Sequence, residues 1–214
     1  MSIVINGTGS ISGLAVGGLP DGTVDAGTLA TNSVDSAELI DGSIDTAHIA
    51  ANQITSAIMP AGSVLQVLEY KKTTFLSQAS NSAWADISGF SLAITPAATS
   101  SKILVLVNIT GNTSNLSYVR VVRGSTAVGV GTESSGQINS TLAPFNRAGD
   151  TNTGGGHASA VFLDSPSSTS ATTYKLQLYC ETSNTFYMNR SADNPANDTG
   201  WNPISSLILV EVGA

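Results

Sequence analysis

The sequence predicts a mainly β protein in three parts: an N-terminal peptide, an interwoven trimeric shaft of decapeptide repeats, and a C-terminal antiparallel, jelly-roll-like sandwich forming a knob. Three observations predict it. Residues 21–60 repeat with a period of ten, as DGTVDAGTLA, TNSVDSAELI, DGSIDTAHIA and ANQITSAIMP. After them, period-two alternation punctuated by Gly, Ser and Pro clusters marks strands, and no stretch reads as an amphipathic helix. Finally, two of those strands are apolar on both faces, which demands a cover on the side a sandwich leaves wet.

Residues 1–20, MSIVINGTGSISGLAVGGLP, hold a β-prone piece at Ile3, Val4 and Ile5 followed by Gly-rich segments ending at Pro20. They are too short to fold alone. Such a segment gains order by adding a strand to a partner, so this part reads as an attachment peptide.

Residues 21–61 form the shaft. The fourth column is β-branched and the ninth is Leu, Ile or Met, which nominates Val24, Leu29, Val34, Leu39, Ile44, Ile49, Ile54 and Met59 as its core. The two columns lie five apart, an interval that suits neither one strand face nor one helix face. It does suit a helix start, with Asp or Thr as N-cap in the fifth column and the apolar residues on either side closing a staple. Each unit is therefore an extended piece, one helical turn, and a Gly/Asn corner that permits positive φ. Ten extended residues reach at most about 33 Å, too short to wind a closed coil around a packed interior. Several chains must then share the core, and a cyclic trimer is the simplest closed arrangement.

Residues 62–214 form the knob. Strands are expected at 63–71, 85–94, 102–110, 117–123, 127–131, 158–163, 173–181, 185–189 and 205–212. In KILVLVNIT and in LILVEV, apolar residues occupy both faces, and a trimer interface on the outer face of one sheet would cover them. Two stretches, 132–156 and 191–203, resist strand assignment, and loops of that length are commonly functional. Phe145, Arg147, Tyr187, Arg190 and Trp201 lie on or beside them and are nominated as contact residues, because aromatic faces stack on sugar rings and guanidinium forks grip carboxylates.

Composition narrows the function. The net charge is −7, and residues 1–60 carry six acids and no Lys or Arg, so the shaft is anionic. Without clustered Lys and Arg to neutralise phosphates, nucleic acid is not an expected partner. Cys180 is the single cysteine, which excludes an intrachain disulfide and a Cys zinc site. No apolar run approaches about 18 residues, so membrane insertion is not expected. Nor does a charged start followed by an apolar stretch open the chain, and synthesis in a cytoplasm is the expectation. The knob's acids form no paired hydrolase signature, His48 and His157 form no ligand set, and Gly154–Gly156 lack the strand-then-helix setting of a phosphate loop. No catalytic, metal or cofactor site is expected.

The opening SIVINGTGSISGL, the DGSIDTAHIA-type decapeptides, ITPAATSSKILVLV, SPSSTSATTYKLQLY and the terminal ISSLILVEV together resemble tail-fibre or similar fibrous virion proteins of tailed bacteriophages, particularly those of aquatic bacteria. The resemblance implies a homotrimer in the virion, docked through its N-terminus on other virion proteins of the tail, baseplate or head. It also implies a knob resembling the tumour-necrosis-factor type of jelly roll, which contacts a host surface glycan or outer-membrane component. A head fibre, decoration protein or tail adaptor remains open beside it, and a glycan depolymerase stands as the reading from another class.

Overall fold

The computed structural model describes residues 53–132, 135–145, 155–192 and 201–214, together with 39, 42, 44–45 and 47–51. Ile3, Val4, Ile5, Val24, Leu29, Val34 and Arg147 lie outside the described residues. The chain divides into two compact units at Gln53/Ile54, where the sequence placed the junction at 61/62.

In the first unit, Asp45 Oδ1 accepts from the Ala47 N–H at 2.9 Å, and the His48 N–H reaches the Asp45 carbonyl at 3.1 Å. The cap closes a single turn. His48 takes the place of the reciprocating residue of a capping box, with Nδ1 2.8 Å from Asp45 Oδ1. Gly42 stands at φ +81°, the corner its column requires. Leu39, Ile44 and Ile49 are exposed on the single chain.

In the second unit the periodicity runs further than its sequence suggests. The Ile58 N–H donates to the Thr55 carbonyl with the spacing of His48 and Asp45. The Ser63 N–H donates to Pro60 as Gln53 does to Ala50, and Gly62 at φ +88° repeats the corner of Gly42. Paired hydrogen bonds between 62–63 and Gly213 then lock this last corner to the end of the chain.

The remainder of this unit is mainly β, with no helix among the described residues. Ten strands follow: β1 Val64–Lys72, β2 Leu76–Ser80, β3 Ala85–Ile94, β4 Lys102–Thr113, β5 Ser117–Arg123, β6 Thr126–Val128, β7 Gly156–Asp164, β8 Thr172–Cys180, β9 Asn184–Met188 and β10 Ser205–Val212. They make two antiparallel sheets. One runs β1-β10-β4-β9-β2 with β7 on the other edge of β4, and the second runs β3-β8-β5-β6. Both β9 and β10 pair along the same edge of β4, and β2 and β1 pair with them in turn, so each couple is one long strand interrupted once.

Alternation decides which side chains enter the core. Ile103, Val105, Val107 and Ile109 of β4 and Leu207 and Leu209 of β10 meet Ile87, Phe90 and Ile94 of β3, Val119 and Val121 of β5 and Leu176 and Leu178 of β8. Each such side chain stabilises the fold by about 1.5–3 kcal/mol on transfer from water. Cys180 is buried among them beside the Ser117 hydroxyl, and burial raises its thiol above the ordinary value, which fits a packing role.

The interruptions are held by polar groups. Asn189 at φ +60° is fully buried between β9 and β10. Its N–H donates to Thr110 O at 2.9 Å, its Nδ2 to Lys72 O at 2.8 Å, and its Oδ1 accepts from Ser205 Oγ at 2.6 Å. Ser205 Oγ in turn accepts from the Thr110 N–H. The backbone groups left over where the ladders stop are thereby satisfied.

Candidate functional site

The outer face of the larger sheet changes character along its length. Cross-strand register places Leu163, Leu104, Val210 and Val67 in one row and Val161, Leu106, Ile208 and Glu69 in the next. Val212 and Val64 continue below, beside Lys102. Val161, Leu163, Val67 and Val64 are 64%, 61%, 59% and 56% exposed. With strands about 4.8 Å apart and same-face residues about 6.8 Å apart, these rows cover on the order of 400 Å². Apolar patches of that size lie within the range a single soluble chain exposes, and such patches are often functional. The doubly apolar strands read from the sequence thus leave their second face open on a single chain.

Above these rows Ser159, Asn108, Ser206 and Lys71 form a polar row, and beyond it the face turns polar and aromatic. Thr110 lies opposite His157, and Asn112 opposite Tyr187. The Arg190 guanidinium stands 5.1 Å from the Tyr187 ring centre and 6.0 Å from that of Phe75, donating to the carbonyls of Ser191 and Ala192. Trp201 lies in a cleft of ≈ 520 Å³ with Thr110, Gly155, His157 and Pro203. Its ring lies so close to Gly155 that a Cβ there would fall 2.4 Å from Trp201 Cζ2, and only glycine admits this contact.

Tyr187, Arg190 and Trp201 therefore lie at one end of one sheet face. Phe145 does not join them. It is 3% exposed and packs edge-on to Phe186 with ring centres 5.0 Å apart, while its backbone pairs with Ser117. A loop aromatic was expected outside and serves as a core plug. Phe75 and His157 belong to this end and were not nominated, since neither alternation nor spacing brings them beside Tyr187 or Trp201.

At the opposite end of the second unit Ile54 and Met59, both exposed, border a cavity of ≈ 330 Å³ with Gln66, Ala97 and Glu211. The Glu211 carboxylate accepts from Gln66 Nε2 and from the Ala97 N–H. Burial pushes its pKa up, but the hydrogen bonds, those from Gln66 and the Ala97 N–H among them, outweigh burial and hold it below the usual glutamate value. The folded value lies below the unfolded one, so this stabilisation is full above an unfolded pKa of about 4.3 and disappears as pH falls through the folded value. Glu211→Gln sets an N–H against one of these donors and lowers stability by about 1–3 kcal/mol at neutral pH. In thermal melts the gap between wild type and variant closes on acidification below about pH 4. A gap independent of pH would remove the carboxylate from the explanation.

Among the described residues no group of three His, Cys, Asp or Glu is placed to hold a metal ion, and no helix is long and apolar enough to cross a membrane. No family model matches the chain. No curated protein matches it either. Among solved structures it is similar to infectious bursal disease virus of the Gt strain, at 15% identity over 70% of this chain and 39% of that one, with a TM-score of 0.33. For the Gx strain the figures are 15% identity, 71%, 39% and a TM-score of 0.28. The chain thus spans about two fifths of the length of these neighbours, and likeness at this level carries no functional argument.

Proposed function

We propose that the chain is a homotrimeric structural protein of a bacteriophage particle, a tail fibre whose knob contacts the host cell surface. The observation that carries the assembly is the open apolar face of β7, β4, β10 and β1, together with the shaft residues Leu39, Ile44, Ile49, Ile54 and Met59, exposed on one chain. Neither set has enough partners within a single copy, and three copies around an axis supply them.

The knob is read as a jelly roll. With β1/β2 and β9/β10 each taken as one broken strand, the chain alternates between the two sheets through β3, β4, β5/β6, β7 and β8, and this supports the reading. The virion assignment rests on the resemblance of the N-terminal peptide, the decapeptides and the closing strand motif. Host contact falls to the end of the sheet where Tyr187, Arg190 and Trp201 gather, and three copies of a weak site multiply its effect.

Adsorption tests the reading. The isolated trimeric protein is expected to bind host cells and to compete with intact particles, and Arg190→Ala with Trp201→Ala to reduce both without lowering the melting temperature. A protein that joins the particle but neither binds cells nor competes is a head fibre, decoration or adaptor. Release of reducing ends from host polysaccharide would replace the reading with an enzyme.

A further inference from the structure

The second sheet carries a different outer face. Register across β3, β8 and β5 lays down two rows on it: Trp84 beside Tyr179 beside Tyr118, and Asp86 beside Gln177 beside Arg120. Ring centres are 5.5 Å apart for Trp84 and Tyr179 and 6.1 Å for Tyr179 and Tyr118. The Arg120 guanidinium reaches back over β8 to stand 4.1 Å from the Trp84 ring centre, and its Nε and one terminal nitrogen donate to Gln177 Oε1 at 2.9 and 2.7 Å. Gln177 Nε2 donates to Asp86 Oδ1, and Lys175 Nζ donates to Asp86 Oδ2.

Burial first, and the Glu181 charge second, raise the Tyr118 hydroxyl above its ordinary value, so a carboxylate stands near the Tyr118 end of the row. Lys175 and Asp86 neutralise one another, and the Lys175 hydrogen bond, with that of Gln177, holds the Asp86 carboxyl below its usual value. Arg120 is half-buried and has no carboxylate partner among the described residues, whereas Arg123 has Asp164 at 2.9 Å. A guanidinium withdrawn from water beside aromatic rings, with N–H groups beyond those given to Gln177, is built for a planar anion. The rings beside it span about 10 Å across three strands, the reach of two or three sugar rings.

We infer that the Trp84–Tyr179–Tyr118 row with Arg120 is a binding site for a carboxylate-bearing saccharide chain, the sugar rings lying on the aromatics and a carboxylate on the guanidinium. The choice of saccharide rests on the knob's contacting a cell surface. This sheet faces away from the apolar rows of the other, so the site stays open when those rows are covered by neighbouring copies.

The test titrates the full-length protein with an oligogalacturonate, a neutral malto-oligosaccharide of equal length, and acetate, following tryptophan fluorescence and heat. Oligogalacturonate is expected to bind with an affinity that falls as salt rises, and the neutral chain and acetate to bind at least about tenfold more weakly. Arg120→Gln is expected to remove the preference and the salt dependence, and Trp84→Phe to weaken binding while keeping both. Should Arg120→Gln fail to fold, Arg120→Lys keeps the charge but loses the fork, and an intermediate affinity is then expected. Equal affinity for the neutral chain, no binding of oligogalacturonate, or binding indifferent to Arg120 overturns the inference. Adsorption to host cells is scored separately: adsorption without oligogalacturonate binding sinks this site and spares the host-contact reading, and the reverse result does the opposite.

Discussion

Leu104→Asp is expected to convert the assembled knob to monomers without unfolding them. Leu104 sits mid-row between Leu163 and Val210, with its side chain on the outer face of β4 and its strand held on both edges. A carboxylate there faces water in a monomer and costs little. In a trimer it is enclosed three times near one axis, and the nearest cation on its strand face, Lys102 two residues away, is turned to Ser165 Oγ at 2.8 Å. Burying about 400 Å² of apolar surface per copy contributes roughly 10 kcal/mol before the loss of rigid-body freedom, estimated at about 4–15 kcal/mol, is subtracted. The surplus is small, and one unpaired charge at several kcal/mol exceeds it. Light scattering on a knob fragment at micromolar concentration is the measurement, with circular dichroism to confirm retained strands. Ser91→Asp, placing the same charge on the other sheet opposite Lys175, is expected to leave the assembly intact. A wild type that is already monomeric, or a Leu104→Asp protein that remains trimeric, assigns the apolar face to another partner.

Where alternation was strong, the strand bounds were legible. Residues 85–94, 117–123 and 205–212 were read from sequence and are β3, β5 and β10. β2 was missed because LSQAS offers one bulky apolar residue and pairs by backbone with β9. β4 runs three residues past its reading, through Gly111, which no periodicity marks. A Cβ on Gly111 would lie 2.3 Å from Phe186, so glycine is kept there for the ring that crosses it. Among the described residues Asp45 stands as a cap and Gly42 as a corner, and Asp45 closes one hydrogen-bonded turn, since a longer helix needs further bonds to offset the dihedrals it fixes. Of the nominated contact residues, Tyr187 follows from strand alternation, but the placing of Arg190 over both Tyr187 and Phe75 needs the register of β2 on β9. The Trp84–Tyr179–Tyr118 row was illegible for the same reason. Each residue alternates outward on its own strand, and only cross-strand register places the three side by side. Phe145 was misplaced because exposure of a loop aromatic depends on whether a cavity lies beneath it.

Asn189→Ala is expected to destabilise the knob by about 3–5 kcal/mol, the sum of two separable losses. The side chain bridges the strand interruption from within, donating to Lys72 O and accepting from Ser205 Oγ, and alanine leaves both partners enclosed without it. Unsatisfied buried groups cost about 1–3 kcal/mol each, and the Ser205 hydroxyl loses its acceptor while still receiving the Thr110 N–H. The second loss is conformational. At φ +60° a Cβ residue other than Asn or Asp is strained by about 1–2 kcal/mol, and glycine is not. Asn189→Gly therefore isolates the hydrogen bonds and is expected to retain about 1–2 kcal/mol more stability than the alanine variant. Asn189→Asp keeps the acceptor for Ser205 but turns a carboxylate toward the Lys72 carbonyl, and falls near or below alanine. Denaturant melts of the three variants give the order Gly above Ala, with Asp at or below Ala. If Gly and Ala are equal, the positive φ carries no strain in the native chain. If all three resemble wild type, the interruption between β9 and β10 is held by the backbone alone.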